Sequence, residues 1–219
     1  IPISSKKVKN IIRHTKIAAV TLTGSTPAGR SVAKTAGDCL KKTVLELGGS
    51  DPYLILDDAN LDQAVDACIN GRILNSGQSC ISAKRIIVTK KVYPEILKKI
   101  KQKLSQKIMG DPKDKVDIGP MVSYESRKQV HEQVMRSIDE GASLMMGGYI
   151  PDISGAFYPI TLLAGVKPGM VAFDEEIFGP VFSLIMAKNE SEAIELGNNT
   201  SFGLGSAIFT QNIEKGKDI

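Results

Sequence analysis

Apolar residues in this chain fall into short continuous runs, separated by stretches in which they recur every three or four positions, with Gly, Pro and Asp between the two patterns. KIAAVTLTG (16–24) reads as a buried strand entering a turn, and Pro27 can sit in the first turn of a helix running toward Gly37. TVLEL (43–47) is a second apolar strand, broken by Gly48 and Gly49. YLIL (53–56) is a third, after which Asp57 or Asp58 caps a helix with Leu61, Ala64, Val65, Cys68 and Ile69 on one face. RIIVT (85–89) leads into a helix marked by Tyr93, Ile96, Leu97, Ile100, Leu104 and Ile108. Beyond the turn MGDP (109–112), Val130, Val134 and Ile138 mark a helix closed by Gly141. The remainder, carrying PITLLAGV and FGPVFSLIMA, is less regular and ends on a strand near GSAIFT (205–210). Strands alternating with helices predict an α/β fold with mainly parallel pairing.

Composition narrows the class. With 219 residues, 42% hydrophobic and 24% charged, the chain reads as soluble and globular, one ordinary domain or two small ones, and not as a disordered, fibrous or disulfide-stapled protein. Its apolar runs are far short of the roughly 20 residues that span a bilayer, and the start IPISSKKVKN lacks the layout of a signal peptide. Three cysteines without metal-type spacing predict a reducing, cytoplasmic setting and no metal. An initial Ile, not Met, predicts a chain that begins inside a longer gene product. Nine basic residues and one acid lie between Lys84 and Lys107. Because the lysines there alternate with apolar positions at helical spacing, the run reads as the solvated face of an amphipathic helix and not as a nucleic-acid footprint.

Three local features can carry chemistry. GSTPAG (24–29) follows a strand and opens a helix, where free backbone N–H groups attract phosphate; it is not GxGxxG, and a plain strand-to-helix turn is the alternative. Glu46 is flanked by Val44, Leu45 and Leu47. A low-dielectric setting there would suit a general base, although strand alternation can equally turn the carboxylate to solvent. Cys80, in the Gly and Ser loop NSGQSC, is the thiol placed to approach a substrate, whereas Cys68 lies on an apolar helix face and Cys39 has no supporting context. His14 and His131 both read as solvated surface residues, which disfavours a Cys/His dyad and favours a Cys working with a carboxylate.

GSTPAGR, VLELGGSDP, NSGQSC and EEIFGPV, in this order, together with NNTSFGLGSAIFT (198–210), resemble the aldehyde dehydrogenase superfamily over nearly the whole chain. The resemblance implies an aldehyde-dehydrogenase-like catalytic domain with a mainly parallel sheet, preceded by the end of a Rossmann-like cofactor domain. It places residues 1–46 in the NAD(P)-binding domain and 47–219 in a catalytic domain incomplete at its C-terminus. It further implies that Cys80 attacks an aldehyde to form a thiohemiacetal, that hydride passes to NAD or NADP, and that Glu46 activates water to hydrolyse the thioester. The Cys80 backbone N–H would hold the oxyanion, with the family's second donor, an Asn, upstream of this chain. Gly24 and Ser25 match the cofactor-phosphate turn, and the Leu47 carbonyl matches a contact to the nicotinamide amide. Glu176 matches the carboxylate that holds the nicotinamide ribose, with Phe178 against the ring, while Glu175 reads as a solvated neighbour.

ELGGSDPYLILDDANLDQAV and NSGQSCISAKRIIV look most like the succinate-semialdehyde dehydrogenase branch. Some members place a carboxylate-reading Arg where this chain has Leu74, and Arg72 would project differently. Ser82 stands where some relatives carry a second Cys, so a redox disulfide is not expected. The implied partners are a small aldehyde and further copies of the parent protein, as a dimer or tetramer, with no nucleic acid and no membrane. Alternatives are a non-catalytic fragment, or a thioester or ester hydrolase that works without cofactor.

Overall fold

In the computed structural model, which describes residues 2–219, the chain divides into two units, one ending at Gly48 and the other running Gly49–Ile219. The first unit holds α1 (Ser5–Arg13), β1 (Ala19–Thr23), α2 (Thr26–Gly37) and β2 (Lys42–Glu46). Helix α1, capped by Ser4, was not expected, although Val8, Ile11 and Ile12 fall at the i, i+3, i+4 spacing of one helix face. Strands β1 and β2 pair in parallel, from Ala19 opposite Lys42 to Thr23 opposite Glu46. The core of this unit is Ile12, Val32 and Ala36, against which Val8, Val20, Leu22 and Leu45 pack. The strand expected to be buried is therefore only half so: Val20 and Leu22 face the helices, while Ala19, Thr21 and Thr23 on the alternate face are exposed.

Helix α2 ends in a Schellman motif, in which the Leu40 N–H donates to Gly37 O and the Lys41 N–H to Ala36 O. This forces Leu40 into the left-handed region at φ 54°, with its side chain 96% exposed.

The second unit contains β3 (Asp51–Ile55), α3 (Leu61–Ile73), β4 (Ala83–Thr89), α4 (Tyr93–Leu104), α5 (Tyr124–Asp139) and β5 (Ser143–Met146). It continues through β6 (Thr161–Ala164), α6 (Val171–Asp174), β7 (Val181–Ala187), α7 (Glu190–Asn198), β8 (Ala207–Phe209) and α8 (Ile213–Asp218). Its strands form one sheet in the order β5-β6-β7-β4-β3-β8, parallel throughout except for the β5–β6 pair. This is the α/β, mainly parallel architecture expected. Strand β4 is buried at all seven positions, as a central strand covered on both faces must be. Its side chains alternate between two cores. Ile86 and Val88 join Cys68 and Ile69 of α3 and Ile96 and Ile100 of α4 on one face, while Ile87 joins Val130 and Val134 of α5 and Ala193 of α7 on the other.

Two local expectations are corrected. Helix α3 is capped by Asn60, whose Oδ1 accepts from the Gln63 N–H, because Asp57 and Asp58 are spent on Thr89 and Thr210. The basic helix α4 stops at Leu104, which leaves Ile108 exposed, and its lysine face is only partly solvated: Lys99 and Lys103 meet Asp62 and Asp66 of α3 at 2.7 and 2.5 Å.

A leucine held in the left-handed region costs about 1–2 kcal/mol and recovers little by packing when it is exposed. Leu40→Gly is expected to stabilise the first unit by about 1 kcal/mol, read as a higher midpoint in chemical denaturation. A lower midpoint would mean that Leu40 makes contacts that outweigh its strain.

Candidate functional site

The amino ends of three neighbouring strands, β3, β4 and β7, bring together Gly49, the Cys80 loop and Glu176. After α3 the chain makes a tight turn, Leu74–Gly77, in which Asn75, Ser76 and Gly77 all have positive φ, at 51°, 53° and 75°. Consecutive left-handed residues are costly and persist only where their surroundings over-determine them. Here the Gln78 N–H and Nε2 donate to Asn75 O, and Asn75 Nδ2 donates back to Gln78 O. Gln78 Oε1 accepts from the Val122 N–H, and Ser76 Oγ donates to Gly119 O. Only glycine fits at position 77, since a Cβ there would lie 2.2 Å from the Gly179 carbonyl oxygen.

Cys80 follows as a half-buried free thiol, and Cys39 is likewise free and half-buried. Cys68 is fully buried in the α3 core, and desolvation pushes its thiol up to about 12. It packs as a small hydrophobe.

Lys84 organises the Cys80 loop. Its side chain is 3% exposed, and its Nζ donates to the Ser79 and Cys80 carbonyls, both at 2.8 Å, while lying 3.3 Å from Glu176 Oε1. Burial pushes the ammonium below its ordinary pKa, the Arg72 charge adds to this, and Glu176 opposes it. Glu176 Oε1 also accepts from the Gly49 N–H at 3.1 Å, whereas Oε2 has no hydrogen bond among the described residues. A Cβ on Gly49 would come within 2.6 Å of Cys80 O, so this position too requires glycine. Phe178 is exposed, with its ring centroid 5.9 Å from Lys84 Nζ.

Arg72, fully buried at the end of α3, donates to the carbonyls of Gly77, Ile177 and Val181, and so ties the Cys80 loop to the segment bearing Glu176. Glu175 is less solvated than expected: Arg136 donates to both its oxygens and Gln133 Nε2 to one of them. His131 is half-buried, with Nδ1 3.3 Å from the Tyr158 hydroxyl, because the inner edge of α5 packs over that ring; His14 is exposed. No group of three or more His, Cys, Asp or Glu among the described residues is placed to hold a metal. None of the helices described is long and apolar enough to cross a membrane.

In the first unit, Ser25 caps α2, and its hydroxyl accepts from the Ala28 N–H. The Gly24 N–H donates to Glu46 O and Pro27 has no N–H, so the Ser25 and Thr26 N–H groups are the ones without a protein acceptor among the described residues. Two unspent donors at the start of a helix suit a phosphate. The low-dielectric setting considered for Glu46 is not found. Leu45 takes the helix-facing side of β2, so strand alternation leaves Glu46 exposed beside Val44. Leu47 is half-buried and its carbonyl has no hydrogen bond among the described residues.

Sequence reasoning missed Lys84, Arg72 and Gly49. Lys84 and Arg85 had been counted with the solvated basic run. The available signal was their position, since two cations opening a strand buried at all seven of its residues must be satisfied inside the protein.

An aldehyde dehydrogenase family profile matches residues 3–219. Over 211 residues the chain is 44% identical to a succinate-semialdehyde dehydrogenase (NADP+) of Mycobacterium leprae, which covers 96% of this chain and 46% of that protein. The structure superimposes on succinic semialdehyde dehydrogenase from Streptococcus pyogenes in complex with NADP+ with a TM-score of 0.95 and 38% identity, over 99% of this chain and 48% of that one. For lactaldehyde dehydrogenase from Escherichia coli the TM-score is 0.93 and the identity 34%, over 96% of this chain and 45% of that one. The chain thus spans about half the length of the curated relatives it matches.

Two outcomes follow from this geometry. In the folded protein at pH 8, iodoacetamide is expected to modify Cys80 and Cys39 and to spare Cys68, which titrates at about 12 and stays protonated, until denaturant is added. Peptide mass spectrometry reads this directly, and early labelling of Cys68 would contradict its burial. Gly77→Ala is expected to destabilise the second unit by about 2 kcal/mol or more, since both its φ and the Gly179 carbonyl oppose a side chain; an unchanged denaturation midpoint would refute this.

Proposed function

The chain belongs to the aldehyde dehydrogenase family, and from that premise we propose that the protein carrying it oxidises an aldehyde with NAD or NADP as acceptor, succinate semialdehyde being the favoured substrate. The observation that most directly supports this reading is the shared clamp at the amino end of β4, where one buried ammonium grips the Cys80 loop and the Glu176 carboxylate together.

In this reading Cys80, as thiolate, attacks the carbonyl carbon, a C–S bond forms, and the carbonyl electron pair moves onto oxygen. The Cys80 N–H is the donor that this oxyanion meets. The bound nicotinamide supplies the hydride acceptor for the substrate C–H bond. Glu46 then takes a proton from water as the water oxygen bonds to the thioester carbon and the C–S bond breaks. Its exposure in β2 leaves the carboxylate open to water.

Each unit, taken by itself, carries groups that suit part of a dinucleotide. The unspent Ser25 and Thr26 N–H groups, next to Gly24, suit its phosphates, and the Leu47 carbonyl suits a carboxamide. Glu176 offers Oε2 to a pair of ribose hydroxyls, and Phe178 offers an exposed ring face. We assign the unit ending at Gly48 to the close of a cofactor-binding domain and the unit from Gly49 to the nucleophile-bearing domain.

The substrate assignment draws on the mycobacterial and streptococcal relatives. Leu74 is exposed, and Arg72 is wholly committed to three backbone carbonyls, so neither reads a substrate carboxylate. Three free cysteines accord with work in the reducing cytoplasm, and the family resemblance with a homo-oligomer.

In the full-length protein, Cys80→Ala is expected to lower aldehyde-dependent NAD(P)H formation by about a thousandfold or more. Glu46→Gln is expected to keep a single burst of NAD(P)H while slowing steady-state turnover about a hundredfold or more. Retained turnover in Cys80→Ala would remove the nucleophile assignment, and undiminished steady-state turnover in Glu46→Gln would remove that of the base.

A further inference from the structure

Every donor of Lys84 is accounted for by two carbonyls and one carboxylate, and the two carbonyls belong to the peptide units on either side of Cys80. In a trans peptide the C=O and N–H point in opposite directions from the same rigid plane, and the described chain has no cis bond. The carbonyl of Ser79 shares its plane with the N–H of Cys80. An ammonium 2.8 Å from Ser79 O therefore fixes the direction of the Cys80 N–H, aiming it away from Lys84. A cation on the carbonyl end also polarises the amide and strengthens the N–H as a donor. The Ser82 N–H donates to the same Ser79 oxygen, while the Cys80 N–H has no protein acceptor among the described residues. Lys84 is itself anchored, since Glu176 Oε1 holds it and is held in turn by the Gly49 N–H.

We propose that Lys84 is a positioning residue for the oxyanion, holding the Ser79 and Cys80 carbonyls so that the Cys80 N–H is aimed and polarised toward the negative oxygen that forms when Cys80 attacks a carbonyl. This rests on the reading of Cys80 as nucleophile. With its Nζ spent on the Ser79 and Cys80 carbonyls and on Glu176, Lys84 acts through the two peptide planes.

Two reactions of Cys80 separate this role from a general effect on the thiol or on the loop. With p-nitrophenyl acetate the thiolate attacks the ester carbonyl, a C–S bond forms through a tetrahedral oxyanion, and the C–O bond breaks to release p-nitrophenolate, leaving the acetyl group on sulfur. With iodoacetamide, sulfur displaces iodide from a saturated carbon and no oxyanion forms. In the full-length protein, Lys84→Met is expected to slow the acylation burst about tenfold or more while changing alkylation of the Cys80 peptide, measured by mass spectrometry, by about twofold or less. Lys84→Arg, which keeps a cationic donor, is expected to recover part of the acylation rate. If Lys84→Met does not fold, Lys84→Gln, with a neutral donor, is compared in the same two reactions. Unchanged acylation, or equal loss in both reactions, overturns the positioning role while leaving Cys80 as nucleophile. Wild-type protein alkylated at Cys80 but never acylated there overturns the nucleophile reading, and the positioning role with it.

Discussion

A cation taken out of water must recover nearly all of its hydration from the protein around it, and the second unit of this chain meets that demand three times at the amino ends of its central strands. Arg72, Lys84 and Arg85 are all buried, and each is satisfied chiefly by backbone carbonyl oxygens. Because a carbonyl belongs to a rigid peptide plane, gripping it fixes the local course of the chain. Arg72 thereby joins the Gly77 turn to the segment 177–181, Lys84 sets the peptides around Cys80, and Arg85 ties Ser50 to the end of α7. Desolvation depresses the proton affinity of all three, with Arg72 brought down to about 9 and Arg85 to about 10. Backbone carbonyls hold all three, and Lys84 has the Glu176 carboxylate as well.

This arrangement accounts for the strained turn before Cys80. Three successive left-handed residues would not form in an isolated segment, yet here the side chains of Asn75, Ser76 and Gln78 each reach a partner and Gly77 lies directly against Gly179. The turn delivers Cys80 to the start of β4 with its side chain free and its flanking carbonyls fixed. Ligands of open parallel sheets commonly sit beyond the carboxyl ends of the strands, whereas the groups gathered here lie at the amino ends. The buried cations offer a physical reason, since they satisfy the carbonyls of the loops entering the strands and leave N–H groups such as that of Cys80 unspent.

Much of the fold was legible beforehand. The β4 run RIIVT, the α3 stripe and the α5 stripe were read from periodicity because each belongs to an element whose burial is set by its own sequence pattern. Cys80 stood out from Cys68 for the same reason, one thiol lying in a glycine loop and the other on an apolar helix face. The weaker elements were not legible. Helix α1, strand β5 and helix α7 are short, at nine, four and nine residues, and the cap of α3 went to Asn60 because distant threonines claimed the two aspartates.

The sequence by itself determined the α/β class, the central strands, the contrast between Cys80 in a glycine loop and Cys68 on an apolar helix face and, through ordered motifs, membership of the aldehyde dehydrogenase family. Tertiary structure alone decided that Lys84 and Arg85 are internal clamps and not part of a solvated basic face, that Arg72 is one as well, that Glu176 keeps one oxygen open, and that Glu46 is exposed. The reason is physical: periodicity reports which side of an element is buried, but the partner of a buried charge is a carbonyl brought from a remote part of the chain, and no local pattern encodes where that carbonyl will be.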